Sequence, residues 1–289
     1  MESKVTKEQL EGLLQKIEGL PSMPALVQKL EQMMSDPDVN VQALSREIAL
    51  DPGITASLIR LSNSAYYMPA RPIRSVAEAI MTLGLSKVKE IVLVVAARGF
   101  LKVDLEAFKV KAPEIWDHSL LAAEISALIA RKLKGQTTDD VAYTAGLLHD
   151  TGKIVLAQHL AKKYQLVQLA MSQNPDQSIL DLEREHLGFT HVEIGASLMD
   201  LWEMPTELTD AVRFVYEPEK SSGNQELCAI VNVANAIVLS AGVGVDVGGL
   251  SMPLSQFAMR TLNFSDRDME FYYTSVPELM EKLADLRTF

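Results

Sequence analysis

Ala145-Gly146-Leu147-Leu148-His149-Asp150-Thr151-Gly152-Lys153 is the stretch on which the reading of this chain turns. An apolar run ends in an imidazole next to a carboxylate, so the pair is expected at a helix end that faces inward. A neutral imidazole beside a carboxylate can hold a divalent metal, and such a metal can activate water against a phosphate ester. Successive helical residues point about 100° apart, so both groups can address one ion only near a helix end. Lys153 is a candidate phosphate contact as a point charge. Its competing role is to cap a helix C-terminus or to neutralise Asp150.

Working outward, the other histidines are 118, 159, 186 and 191. His118 falls mid-helix on the segment before the one that delivers His149. Antiparallel pairing of those helices would bring the two imidazoles together, although a lone mid-helix histidine is also an ordinary core or surface residue. His191 is expected in the first turn of its helix, where the positive dipole end favours a neutral, ligand-ready imidazole. A partly exposed residue of the cap is the competing reading. His186, just before Gly188, is expected to meet free helix carbonyls. His159 beside Lys162 and Lys163 reads as surface, and Cys228 as a small core residue.

Helical signals dominate the rest of the chain. Leu10, Leu13, Leu14 and Ile17 repeat at helical spacing, and a second stripe runs through Leu26, Leu30 and Met33 to a turn at Asp36-Pro37-Asp38. Asp51-Pro52 is a helix start, with Asp to accept from free N–H groups and Pro suited to the first turn. Ser75 with Glu78, and Thr190 with Glu193, have capping-box spacing. Ser86 is expected to cap the next helix, which carries Ile91, Val92 and Val95, and Thr137 or Thr138 the one that delivers His149. Further helices are expected over 115–133, closed by Gly135, and over 179–187, 190–202, 207–216 and 226–241, with a glycine-rich loop at 242–249. Lys102 to Pro113 is the best boundary candidate, mixed in charge and without a stripe. The expected architecture is all-α, a multi-helix bundle of two parts, 1–110 and 111–289, with the N-terminal helical part packed on the second.

Composition narrows the function class. The 289 residues are 48% apolar and 22% charged, as in a globular protein with a sizeable core. Lys plus Arg is 27 against 38 Asp plus Glu, a net charge of −11. That acidic balance repels phosphate backbones, so no nucleic-acid partner is expected. One cysteine excludes an internal disulfide. The longest apolar stretch, 91–97, is far short of the roughly 20 residues that span a bilayer. No membrane association and a cytoplasmic setting are the expectation.

Two groups of residues together resemble the HDOD domain, a regulatory relative of the HD metal-dependent phosphohydrolases. The first is Asp51-Pro52-Gly53, Leu58 to Ala65 with Asn63-Ser64, then Ala79-Ile80 and Leu83-Gly84. The second is Gly146 to Lys153 with Gly152, Glu185 to Gly188, His191, Gly195-Ala196, Leu198, Trp202 and Pro205. The resemblance covers about residues 15 to 240. It implies an all-α fold and a part in bacterial signal transduction.

Catalytic members of the wider superfamily use a first His, the HD pair and a distal Asp. The branch that cleaves cyclic dinucleotides adds more histidines, including a His-His pair. His118 matches the first His, His149 and Asp150 the pair, and Lys153 the lysine that follows it. The His-His pair should fall just after Ala211-Val212, where this chain has Arg213-Phe214-Val215-Tyr216, and Asn235 stands where the distal Asp should be. Losing a carboxylate removes the main attraction for a hard divalent cation. The resemblance therefore implies a degenerate site for Mg, Mn or Fe, and a non-catalytic module that binds a signalling protein partner or a small ligand. The alternatives are a metal-dependent phosphohydrolase acting on a nucleotide or cyclic dinucleotide, and a helical adaptor whose HD residues form a buried hydrogen-bonded network.

Overall fold

A computed structural model of the chain describes residues 40–288, apart from 102–103, 175–176 and 245–253, with scattered single positions before residue 40. The stripes expected before Asp36, the turn at 36–38 and most of the 242–249 loop fall outside the described residues. Among the described residues every regular element is helical, and the β pairing is one isolated antiparallel bridge between Leu105 and Val110. The fold is all-α. No described helix is long and apolar enough to cross a membrane. The chain divides into two compact units, one centred on Leu101–Pro277 and the other on Ser22–Phe100 with Glu278–Phe289.

The second of these units holds α1 (Val41–Ala49), α2 (Pro52–Ser62), α3 (Val76–Leu83) and most of α4 (Leu85–Leu101). Leu44 and Ile48 of α1 are buried with Leu58 and Leu61 of α2 and Ala79 and Ile80 of α3. Asp51 caps α2 as the sequence predicts, its carboxylate accepting from the Ile54 N–H at 2.9 Å. Asn63 acts as a staple. Its amide donates to the Ile73 carbonyl at 2.7 Å and accepts from the Ile73 N–H at 2.8 Å, pinning the 64–72 loop to the end of α2. Ser75 accepts from the Glu78 N–H at 3.1 Å, but the Glu78 carboxylate reaches past Ser75 to the Arg74 N–H at 2.6 Å, so the expected capping box is offset by one residue. Gly84 turns the chain at φ 84°, and α4 starts at Leu85, which puts Ser86 inside the first turn and not at its cap.

In the other unit, the expected boundary at Lys102–Pro113 is partly structured. A 3-10 turn over Glu106–Phe108 buries Phe108, whose ring lies 4.3 Å from that of Tyr164. Helix α5 (Ala112–Leu133) begins three residues before the expected start. Asp104 accepts from the Ala112 N–H and Glu114 from the Lys111 N–H, each at 2.8 Å. Pro113 then occupies the first turn, where its missing N–H costs nothing. Lys134, left-handed at φ 51°, closes the helix in place of Gly135.

α5 pairs most extensively with α6 (Asp139–Leu148). Thr138 precedes α6 but makes no side-chain cap, its hydroxyl turning to Asp140 instead. A Cβ at Gly146 would lie 2.6 Å from the Ala122 carbonyl, so this glycine sets how closely the pair can approach. There follow α7 (Thr151–His159), α8 (Ala161–Gln173), α9 (Ile179–Leu187), α10 (His191–Leu201), α11 (Thr206–Arg213), α12 (Gln225–Ser240), α13 (Gln256–Thr261) and most of α14 (Asp266–Lys282), while α15 (Ala284–Thr288) belongs to the unit of α1 to α4. The Thr190–Glu193 box forms in both directions, at 3.2 and 2.8 Å, and α11 stops short of the expected Tyr216. α7 meets α10 backbone to backbone: a Cβ on Gly152 would sit 1.9 Å from the His191 carbonyl and 2.7 Å from the Gly195 nitrogen. Buried Trp202 ends α10.

Candidate metal centre

Three buried side chains converge where α5, α6 and α7 meet. His118, near the start of α5, faces His149 at the end of α6, so the two helices run antiparallel. The imidazole Nε2 atoms lie 3.3 Å apart. Asp150 Oδ2 lies 3.6 Å from the first and 3.5 Å from the second. None of the three residues is more than 7% exposed.

The outer nitrogens settle the proton positions. His118 Nδ1 lies 3.0 Å from the Val243 carbonyl and His149 Nδ1 2.8 Å from the Gly146 carbonyl. A carbonyl only accepts, so each Nδ1 carries a hydrogen and the two Nε2 atoms are turned toward each other. Burial lowers the His118 pKa to about 4 even against the pull of Asp150, so this ring is neutral near pH 7. Its Nε2 then presents a lone pair toward His149 Nε2 and the Asp150 carboxylate. Burial alone would raise the Asp150 pKa, but the basic groups packed around it, His149 and Lys153 foremost, outweigh it and hold the carboxyl below the usual range. Lys153 supplies the direct contact, its Nζ donating to Asp150 Oδ2 at 2.9 Å.

This donor set fits a small cation. Tetrahedral metal–ligand distances of about 2.1 Å place neighbouring donors about 3.4 Å apart. The three separations here, 3.3, 3.5 and 3.6 Å, are close to that edge. Asp150 Oδ1 is buried with no hydrogen-bond partner and so keeps acceptor capacity in reserve. The group could therefore hold a metal ion, with His118, His149 and Asp150 as ligands. The space above it is small. A cavity bounded by Leu105, Phe108, Ile115 and Gly244 over His118, Asp150 and Lys153 has room for about 10 Å³, roughly one water molecule.

The remaining sequence candidates are not part of this cluster's ligand set. Asn235 on α12 is buried and donates to the Tyr216 hydroxyl at 3.4 Å, while its Oδ1 has no partner. Tyr216 lies in turn edge-on to His191, with ring centroids 5.7 Å apart. His191 is fully buried and not the exposed cap residue of the competing reading. Its Nδ1 donates to Glu183 at 2.8 Å and its Nε2 is unpartnered. His159 is half-buried and His186 exposed. Cys228 is a core residue whose thiol is pushed up to about 12 by burial.

Glu183 and Tyr164, the hydrogen-bonded partners behind the candidate His191, are the residues that sequence reasoning missed. Glu183 is completely buried and receives the Tyr164 hydroxyl at 3.0 Å. A signal was available: Glu183 shares the buried face of α9 with Ile179 and Leu182, an acidic residue on an apolar stripe.

The HDOD domain family model matches residues 20–218. Three solved structures are similar over nearly the whole chain. An HDOD domain protein of unknown function from Geobacter sulfurreducens is 24% identical, with TM-score 0.75, 98% of this chain covered and 96% of that one. A proposed signal transduction protein from Marinobacter aquaeolei VT8 is 22% identical at TM-score 0.74, covering 98% of this chain and 60% of its own. A proposed phosphohydrolase from Shewanella amazonensis SB2B is 22% identical at TM-score 0.72, with 96% and 97% covered. An uncharacterized protein of Treponema pallidum (strain Nichols) is 22% identical over 229 residues, 78% of this chain. The chain spans 44% of the length of that curated relative. At these identities the likeness establishes the fold.

Proposed function

The chain belongs to the HDOD domain family, and from that premise we propose that it is a bacterial signal-transduction module that acts without catalysis, by binding a protein partner or a small ligand. The observation that carries this reading is the buried Lys153–Asp150 pair. The lysine that would meet a substrate phosphate is bonded to the carboxylate that would hold the metal. The space over that pair, about 10 Å³ among the described residues, is small. Asn235 in place of a distal carboxylate removes further attraction for a divalent ion.

A second reading, a metal-dependent phosphohydrolase acting on a nucleotide or cyclic dinucleotide, is favoured by the facing Nε2 atoms and the open Asp150 Oδ1. In that case His118, His149 and Asp150 hold the ion, which supplies activated water, and Lys153 contacts phosphate. Two imidazoles with one carboxylate suit Mn²⁺ or Fe²⁺ better than Mg²⁺. Elemental analysis of the purified chain, followed by phosphodiesterase assay with added Mn²⁺ or Fe²⁺, separates the readings. The first expects no turnover that depends on metal and on Asp150. Turnover abolished by Asp150→Ala overturns it.

A further inference from the structure

The first part of α14 is thinly held. Of residues 266–277, Tyr272 and Val276 are buried and the others partly or fully exposed, Phe271 at 60% and Tyr273 at 48%. Among the described residues, α14 takes no part in the extensive helix pairings. Pro277 sits inside the helix, where its missing N–H removes a helical hydrogen bond. The division of the chain falls at this same residue, so 266–277 belong to the unit of His118, His149 and Asp150.

The Lys132 ammonium, in the last turn of α5, ties this part down. Its Nζ donates to Asp268 Oδ1 at 2.7 Å. The same atom lies 5.8 Å from the centroid of the Phe264 ring, 5.6 Å from that of Phe271 and 5.5 Å from that of Tyr272. All three are inside the range of about 6 Å in which a ring face attracts a cation. Asp268 also holds the start of α14, its Oδ2 accepting from the Ser265 N–H at 2.9 Å and hydroxyl at 2.6 Å. The lysine bridges 87–90, 217–220 and 278–282 span three or four residues, whereas Lys132 and Asp268 are 136 apart. A carboxylate and three rings thus answer to one positive charge, on a side chain that is 50% exposed and open to a reagent in solution.

We propose that Lys132 is a modification site and the charge latch of α14: acylation of its Nζ by an acyl phosphate frees 266–277 from α5. In that step the neutral amine attacks the acyl carbonyl and an N–C bond forms. The C–O bond to phosphate breaks, phosphate leaves with the bonding pair, and the amine gives one proton to water. The resulting amide is uncharged, so the ion pair and the three ring contacts are lost together. The inference is independent of any reading of the His118–His149–Asp150 cluster.

The test treats the full chain with acetyl phosphate until exposed Lys162 and Lys163 are acetylated, then maps the modified peptides by mass and follows amide hydrogen exchange. Lys132 is expected to be acetylated, and exchange over 266–277 to quicken by about 10-fold or more while α5 and α6 keep their protection. Lys132→Gln should reproduce the effect, and Lys132→Arg, which keeps the charge, should exchange as wild type does. An unmodified Lys132 overturns the modification site. Unchanged exchange over 266–277 in the acetylated protein, quickening spread evenly over the whole chain, or Lys132→Arg as fast as Lys132→Gln overturns the latch.

Discussion

Asn235 donates its amide to the hydroxyl of Tyr216 at 3.4 Å, so two residues at the positions where this chain departs from the catalytic pattern are partners of each other. Where a metallohydrolase would gather charge and nitrogen ligands, this chain has a neutral hydrogen-bonded pair. Asn235→Asp restores a carboxylate where the resemblance puts the distal ligand. Mn²⁺ affinity, measured by calorimetry, is expected to rise about tenfold or more, since ligand charge count tunes such sites. An unchanged affinity would show that Asn235 does not face the ion.

Lys153 works in the opposite sense. Its ammonium satisfies Asp150 at 2.9 Å and competes with any cation for the same oxygen. Lys153→Met leaves a buried carboxylate without its cation, which costs about 3–5 kcal/mol in the metal-free protein. The melting temperature should fall, and added Mn²⁺ should recover much of the loss, because a ligand that binds only the folded state stabilises it.

Gly152 tests the close approach of α7 and α10. A Cβ there would meet backbone at 1.9 Å, and backbone cannot swing aside. Gly152→Ala is expected to destabilise by more than about 2 kcal/mol in denaturant melts. Gly99, exposed in α4 with nothing within 4 Å of its Cβ position, is the control. Gly99→Ala should be neutral or stabilising by up to about 1 kcal/mol.

These positions also show what the sequence could and could not tell. Asp51, Thr190 and the 179–187 helix were legible because caps and stripes are local. Asn63, Pro52 and Gly84 were legible as a signature, but their task was not. Asn63 staples a loop through Ile73, ten residues on, and Gly84 supplies a positive φ, so the pattern that looked like a clue to function is the scaffold of its unit. α7 and α8 carried no readable stripe for a physical reason. Thr151 through Leu156 are all buried, and α8 exposes Leu166 and Leu169 while burying Tyr164 and Val167. His118 and His149 were legible as a pair across two helices, whereas Glu183 was not, because what matters about it is a contact with His191 at the start of the next helix.

Cys228 gives a pH prediction. Burial pushes its thiol from the ordinary 9.0 to about 12. The folded state therefore holds its proton more tightly than the unfolded chain. Stability is unaffected by this group below about pH 9 and declines as pH rises from 9 toward 12. At pH 8 the native protein should resist a thiol-alkylating reagent, and labelling should appear only with unfolding in denaturant.

The most direct measurement is hydrolysis of a cyclic dinucleotide and of a simple phosphodiester by the purified chain with Mn²⁺ or Fe²⁺, wild type against Asp150→Ala. A Lys153-neutralised centre is expected to give the two proteins the same background rate. Metal-dependent turnover in wild type that Asp150→Ala abolishes would contradict the non-catalytic reading.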